Sequence, residues 1–200
     1  SGCPMRVLFV ADEESPFLGD YYTPGRLDGI DLIVSCGDLK SEYLTFLVTM
    51  GRARLLYVHG NHDTGYERRP PEGCECIDDK LVKIGGLRIL GLGGCPRYNG
   101  GPYQYTEHEM RMKILRRLPG IRMAGGVDVI VSHASVRGVG DDSDYAHRGF
   151  ETFRPLVEIL KPRYLVHGHV HLNYGANIPR VEWLGETQVV NAYERYVLDI

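Results

Sequence analysis

The chain has 200 residues, 43% apolar and 24% charged, which is room for one domain with a sizeable core and is unlike a disordered composition. A formal charge of −3 provides no bulk attraction for nucleic acid or for an anionic membrane surface. No apolar run approaches the roughly 18–20 residues that span a bilayer, and no leader is evident, so the expectation is a cytoplasmic protein with no membrane.

Residues 5–11 (MRVLFVA), 31–36 (DLIVSC) and 55–59 (LLYVH) are continuous apolar runs rich in Val, Ile and Leu, the pattern of buried strands. Between the second and third, residues 41–50 carry Leu44, Leu47 and Val48 at helical spacing, with Ser41 as N-cap. The first third therefore reads as β-α-β units with parallel strands. Residues 81–84 and 87–92 flank Gly85-Gly86, a hairpin signal. Residues 91–102 are glycine-rich and irregular. Thr106 and Glu109 form a capping box for a helix to about Leu118. A strand at 127–132, an amphipathic helix at 150–160 stopped by Pro162, and a strand at 164–167 follow. Residues 187–192 and 195–198 suggest a closing hairpin. The long loops 67–73 and 135–149 are candidates for function. About three helices with eight or nine strands make an α/β protein, with one mixed sheet or two packed together, in a single domain over 1–200.

The five cysteines are too few and too scattered for a disulfide framework. Cys74 and Cys76 lack a second pair for zinc, and ordinary packing or exposed thiols is the favoured reading; Cys36 reads as a packing residue.

Polar residues gather at the strand ends. Asp12-Glu13-Glu14, Gly37-Asp38, Gly60-Asn61-His62-Asp63, Ser132-His133 and Gly168-His169-Val170-His171 each follow an expected strand. Ligands of α/β proteins bind at the carboxyl ends of strands. Each motif alone is weak, because Gly-Asp is usually a turn and a single His is usually structural. Five in the same position are different: converging these carboxylates without a cation carries a heavy electrostatic cost. A metal centre follows. His59 and His167 lie inside strands and read as core histidines. His108 and His147 have no motif support, although His147-Arg148 is a candidate for a pocket lining.

In this order the motifs resemble the calcineurin-like metallophosphoesterases. The Arg137-Gly138-Val139-Gly140-Asp141 loop and the 167–175 stretch, ending Asn173-Tyr174-Gly175, are most similar to small members of the class III cyclic nucleotide phosphodiesterase type. The resemblance implies two mixed β-sheets packed as a sandwich with helices on the outer faces. It implies two divalent ions bridged by Asp38, manganese foremost, with iron or zinc as alternatives. Asp12, Asp38, His171 and Glu14 would hold one ion; Asp38, Asn61, His133 and His169 the other. His62 would be the proton donor and Asp63 its orienting partner.

One position departs from the family pattern, since Glu14 stands where the first motif has histidine. With Asp12, Glu14 and Asp38 as anions beside a hydroxide, two divalent ions are neutralised, whereas a histidine would leave one positive charge. A neutral cluster favours a diester over a monoester dianion, and the harder carboxylate favours Mn²⁺ or Fe over an all-zinc site. Arg97, Arg137 and Arg148 are candidate phosphate contacts, and Tyr98, Tyr103 and Tyr105 candidate base-stacking groups. The implied substrate is a small phosphodiester such as a cyclic nucleotide, with no nucleic-acid partner. The alternatives are a phosphomonoesterase or another phosphoric-ester hydrolase on the same site, and a metal-binding module of degenerate activity.

Overall fold

The computed structural model describes residues 3–172 and 177–200; the Asn173-Tyr174-Gly175 stretch lies outside them. Two sheets face each other. The first has the order β13-β1-β2-β3-β4, formed by β1 (Arg6–Ala11), β2 (Leu32–Ser35), β3 (Arg54–Tyr57), β4 (Cys74–Cys76) and β13 (Glu194–Asp199). β1 to β4 are parallel and β13 runs antiparallel on β1. The second has the order β11-β12-β10-β9-β6-β5, formed by β5 (Leu81–Ile84), β6 (Leu87–Leu92), β9 (Val129–Ser132), β10 (Tyr164–His167), β11 (Val181–Leu184) and β12 (Thr187–Asn191). Its four central strands are parallel and its edges antiparallel. β7 (Cys95–Pro96) and β8 (Gln104–Tyr105) make a small separate ribbon.

Alternating side chains of each strand serve two cores, which is why the strands read as continuous apolar runs. Val7, Phe9, Leu32, Val34 and Leu56 meet Ile89, Val129, Val131, Val166 and Val190 between the sheets. Leu8, Val10, Ile33 and Leu55 face outward onto Leu44 and Leu47 of α1 (Ser41–Gly51). Leu90, Ile130, Leu165 and Val189 face outward onto α2 (Glu107–Met123) and α3 (Phe153–Leu160), meeting Met110, Ile114, Phe153 and Leu156. The expected sandwich with outer helices is therefore present, as an α-β-β-α stack.

Besides the unexpected short strands β4, β7, β8 and β11, four details differ from expectation. α1 is capped by Lys40 and not Ser41, because the Lys40 carbonyl already accepts from the Tyr43 and Leu44 amides. α2 has the expected Thr106 cap, accepting from the Glu109 amide at 3.1 Å, but continues through Pro119 to Met123. Proline removes the bond to Leu115, whose side chain is exposed, while the next turn buries Ile121 in the core. α3 starts at Phe153, since the Phe150 amide donates to Ser135 and the Glu107 carboxylate accepts from the Glu151 and Thr152 amides. The closing hairpin does not form. β12 pairs with β11 and β10 in one sheet, whereas β13 crosses to β1 in the other. Among the described residues, no helix is long and apolar enough to cross a membrane.

Candidate metal centre

All five motifs leave the carboxyl ends of parallel strands at one rim of the sandwich. Asp12 follows β1, Asp38 lies in the β2–α1 turn, Asn61 and His62 follow β3, His133 follows β9, and His169 and His171 follow β10. Three sheet-one strands and two sheet-two strands thus contribute, so the site straddles the seam between the sheets. Its local backbone is unusual. Asp12, Asp38 and His169 all hold left-handed φ values of 66°, 60° and 67°. Asp and His are among the non-glycine residues that enter that region most readily, though it remains uncommon for any side chain. The glycines of the motifs make room for the ligands. A Cβ on Gly60 would lie 2.1 Å from Asp38 Oδ1, and one on Gly168 would lie 2.6 Å from Asp12 Oδ2.

The inner donors converge. His133 Nε2 lies 3.2 Å from Asp38 Oδ2 and 3.1 Å from His169 Nδ1. The far nitrogens are tied to backbone carbonyls: His133 Nδ1 to Cys36 O at 2.7 Å and His169 Nε2 to Ala146 O at 2.7 Å. Those bonds turn the other nitrogen of each ring into the centre, the usual arrangement behind a metal-binding histidine. Ligand atoms of Asp38, His133 and His169 all lie within 4.8 Å of one another. On the Asp12 side, Oδ2 accepts from the His169 amide at 2.7 Å, and Oδ1 faces His171 Nε2 at 3.7 Å.

Burial opposes charge on both Asp38 and His133, yet their mutual attraction wins. It holds Asp38 below the usual carboxylate range and His133 above the usual imidazole range. Burial and then the His133 charge push His169 down to about 3, so its Nδ1 is a lone-pair donor.

Two orphaned atoms show that the residues fit a cation. Asp12 Oδ1 and Asn61 Oδ1 are buried with no hydrogen-bond partner, while Asn61 Nδ2 donates to the Tyr98 hydroxyl at 3.0 Å. An unpaired buried oxygen costs about 1–3 kcal/mol, which coordination would relieve. Asp12, Asp38, Asn61, His62, Tyr98, Ala146, His147, His169 and His171 line a cavity of about 410 Å³.

Several expected residues lie elsewhere. Glu14 is exposed, and its charge acts on the Tyr43 hydroxyl, on the outer side of the first sheet. Its neighbour Glu13 instead accepts from the Tyr193 hydroxyl, whose ring lies 5.2 Å from that of His171. Asp63 is buried, and burial pushes it up to about 7. Its Oδ2 accepts from the Gly60 and Asp38 amides at 2.7 and 2.8 Å and not from the His62 ring as expected, so it shapes the loop backbone. His62 is exposed at the cavity wall; its amide donates to Asp38 Oδ1 at 2.8 Å. Of the candidate substrate and pocket residues, Tyr98 and His147 line the cavity and Arg148 does not. Arg97 pairs with Glu109, Arg137 with Glu151, and Arg148 covers the Tyr145 ring in a neighbouring groove. Tyr103 stacks on His59, and Tyr105 lies under the Lys113 ammonium. His167 is buried, and burial holds it neutral at about 4. The carbonyls of Cys36 and Ala146 and the Glu13–Tyr193 pair were missed, since neither a backbone oxygen nor a contact across 180 residues has a local sequence signature.

The chain is similar to several known proteins. The chain is 23% identical over 167 residues to a lariat debranching enzyme of Entamoeba histolytica, spanning 70% of this chain and 46% of that protein. It is 26% identical over 188 residues to the UPF0046 protein C25E10.12 of Caenorhabditis elegans, spanning 79% and 63%. The chain thus spans less than two thirds of the length of these relatives. In fold it is similar to TT1561 of Thermus thermophilus, with a TM-score of 0.61 at 15% identity, covering 96% of this chain and 90% of that one. The family model described as calcineurin-like phosphoesterase matches residues 8–173. The matched span includes all five strand-end motifs, and the chain belongs to the calcineurin-like phosphoesterase family.

Proposed function

We propose that this chain is a metal-dependent phosphodiesterase acting on small phosphodiesters such as cyclic nucleotides. Two divalent ions, manganese foremost, would lower the pKa of an attacking water and spread the charge that develops on the phosphoryl oxygens. Asp12, Asp38 and His171 would hold one ion, and Asp38, Asn61, His133 and His169 the other. The exposed Glu14 is a poorer candidate than the sequence suggests. His62, exposed on the cavity wall, would give a proton to the leaving oxygen. Asp63 positions His62 by holding the turn that carries it. Tyr98 holds the Asn61 amide so that its oxygen faces inward.

The observation that carries the diester reading is the cavity wall. Among the described residues, those lining it include carboxylates, imidazoles, an amide and a phenol, and no Lys or Arg. Arg97 and Arg137 pair with glutamates, and Arg148 lies over the Tyr145 ring outside this cavity. A monoester dianion brings one more negative charge than a diester, worth about 4 kcal/mol at 4 Å and an effective dielectric near 20. Without a Lys or Arg side chain on the wall to meet that charge, the diester is favoured. Similarity to proteins named lariat debranching enzymes is compatible with a phosphoesterase reading. The experiment is turnover of bis(p-nitrophenyl) phosphate against p-nitrophenyl phosphate in Mn²⁺, with 3′,5′-cyclic AMP as a natural diester. Faster diester cleavage is expected; a monoester turned over equally fast or faster overturns the reading.

A further inference from the structure

Cys76 looks unsupported in the sequence, yet the fold brings it to two side chains far from obvious there. β3 and β4 are parallel, with Tyr57 opposite Cys76, so the chain leaves both strands at the same end. His59 follows β3 by two residues and Asp78 follows β4 by two. His59 Nδ1 lies 2.5 Å from Asp78 Oδ2 and 3.9 Å from Cys76 Sγ. One donor atom of each residue lies within 4.8 Å of the others, and all three residues are half-buried, open to an ion from solvent. Two contacts hold the group in place. The His59 ring stacks on Tyr103 at 4.4 Å with planes 10° apart, and the His59 amide donates to Asp78 Oδ1 at 3.2 Å.

We propose that His59, Cys76 and Asp78 form a second metal site, separate from the phosphoesterase centre, for one thiophilic divalent cation such as zinc. The donor set is sulfur, imidazole nitrogen and carboxylate oxygen, three ligands that leave a fourth position to solvent. Tetrahedral zinc with bonds of about 2.3 Å to sulfur and 2.0 Å to nitrogen places those atoms roughly 3.5 Å apart, close to the observed spacing. The nitrogen–oxygen pair must open to roughly 3.3 Å, which a rotation of the Asp78 side chain provides. A thiolate and a carboxylate balance the two charges of the ion. Cys74 is not a ligand; its Sγ turns to the Glu72 carbonyl at 3.6 Å. Lys80 Nζ is nearby but is engaged by the Cys76 carbonyl at 3.2 Å. Softness separates the two sites, since the phosphoesterase centre draws on oxygen and imidazole donors while this one adds sulfur.

Cobalt titration of the purified protein tests the proposal, because a thiolate ligand produces a sulfur-to-cobalt charge-transfer band in the near ultraviolet. The band is expected in the wild type, retained in Cys74→Ser and absent in Cys76→Ser. Separately, Zn²⁺ should slow iodoacetamide alkylation of Cys76 in the wild type by roughly tenfold or more, read by peptide mass spectrometry. That assay decides the matter if the Cys76 variant fails to fold. A wild type with no band, a band that persists in Cys76→Ser, or alkylation indifferent to Zn²⁺ overturns the site. None of these readouts depends on phosphoester turnover.

Discussion

Gly60→Ala is the sharpest probe of the metal centre because it adds one carbon and changes no ligand. The new Cβ would lie 2.1 Å from Asp38 Oδ1 and 2.6 Å from Asp38 Cγ. Ordinary contact begins near 3.4 Å, so the carboxylate must retreat by roughly 1.3 Å and the Asp38 backbone nitrogen, 2.6 Å from the new Cβ, must shift with it. Ligand positions tolerate only about 0.2 Å before coordination suffers. Retreat also breaks the bond from the His62 amide to Asp38 Oδ1, leaving a donor unpaired at a cost of about 1–3 kcal/mol. Disturbing groups that merely orient ligands weakens metal affinity by roughly 10–100-fold, and here the shared ligand itself moves, so a loss of at least ~100-fold is expected. The measurement is calorimetric titration with Mn²⁺, alongside urea unfolding of the metal-free protein. Gly65→Ala, where an added Cβ meets nothing within 4 Å, is the control and should bind metal normally. A Gly60→Ala protein that folds and binds Mn²⁺ within threefold of the wild type would refute the placement of Asp38 as a metal ligand.

His62→Ala should lower kcat by roughly 10²–10⁴-fold while leaving Mn²⁺ affinity within a few-fold, because the ring lines the cavity without joining the converging donors; equal losses in both quantities would make it a ligand. Glu14→Gln should change Mn²⁺ affinity less than about twofold, since the side chain is exposed and removed from the cavity, whereas Asp12→Asn should weaken it by at least ~100-fold. Asp128 accepts from Arg88 through both carboxylate oxygens and from the Arg88 amide, which holds its carboxyl below the usual range. A lowered folded-state pKa contributes stability above the unfolded value that is lost as pH falls through the folded one. Asp128→Asn should therefore cost about 1–2 kcal/mol at pH 7 by urea unfolding, with the difference shrinking below about pH 4. An equal difference at pH 3 and pH 7 would show that packing and not charge is at work.

Much of the centre is legible in the amino-acid sequence. Asp12, Asp38, Asn61, His133, His169 and His171 can be placed together because each follows a strand whose apolar run is unmistakable, and parallel strands deliver their ends to one rim. Glu14 illustrates the limit. Spacing puts it at a ligand position, but the left-handed turn at Asp12 directs the residues after it outward, and Glu13 meets Tyr193 instead. The arginines fail for a related reason. A guanidinium on a long stem pairs with whatever carboxylate the fold brings near, and Glu109 and Glu151 are not predictable from the loops that carry Arg97 and Arg137.

By itself the sequence determined the long buried strands, the three helices and the donor types at the strand ends, because period and turn chemistry are local properties of the chain; the short strands β4, β7, β8 and β11 carry no such pattern. Only tertiary structure decided that β12 and β13 belong to different sheets, which carbonyls aim His133 and His169, and that Cys76 meets His59 and Asp78. Those outcomes depend on how two sheets pack and where their edges fall, a balance of contacts among residues far apart in the chain that no local pattern encodes.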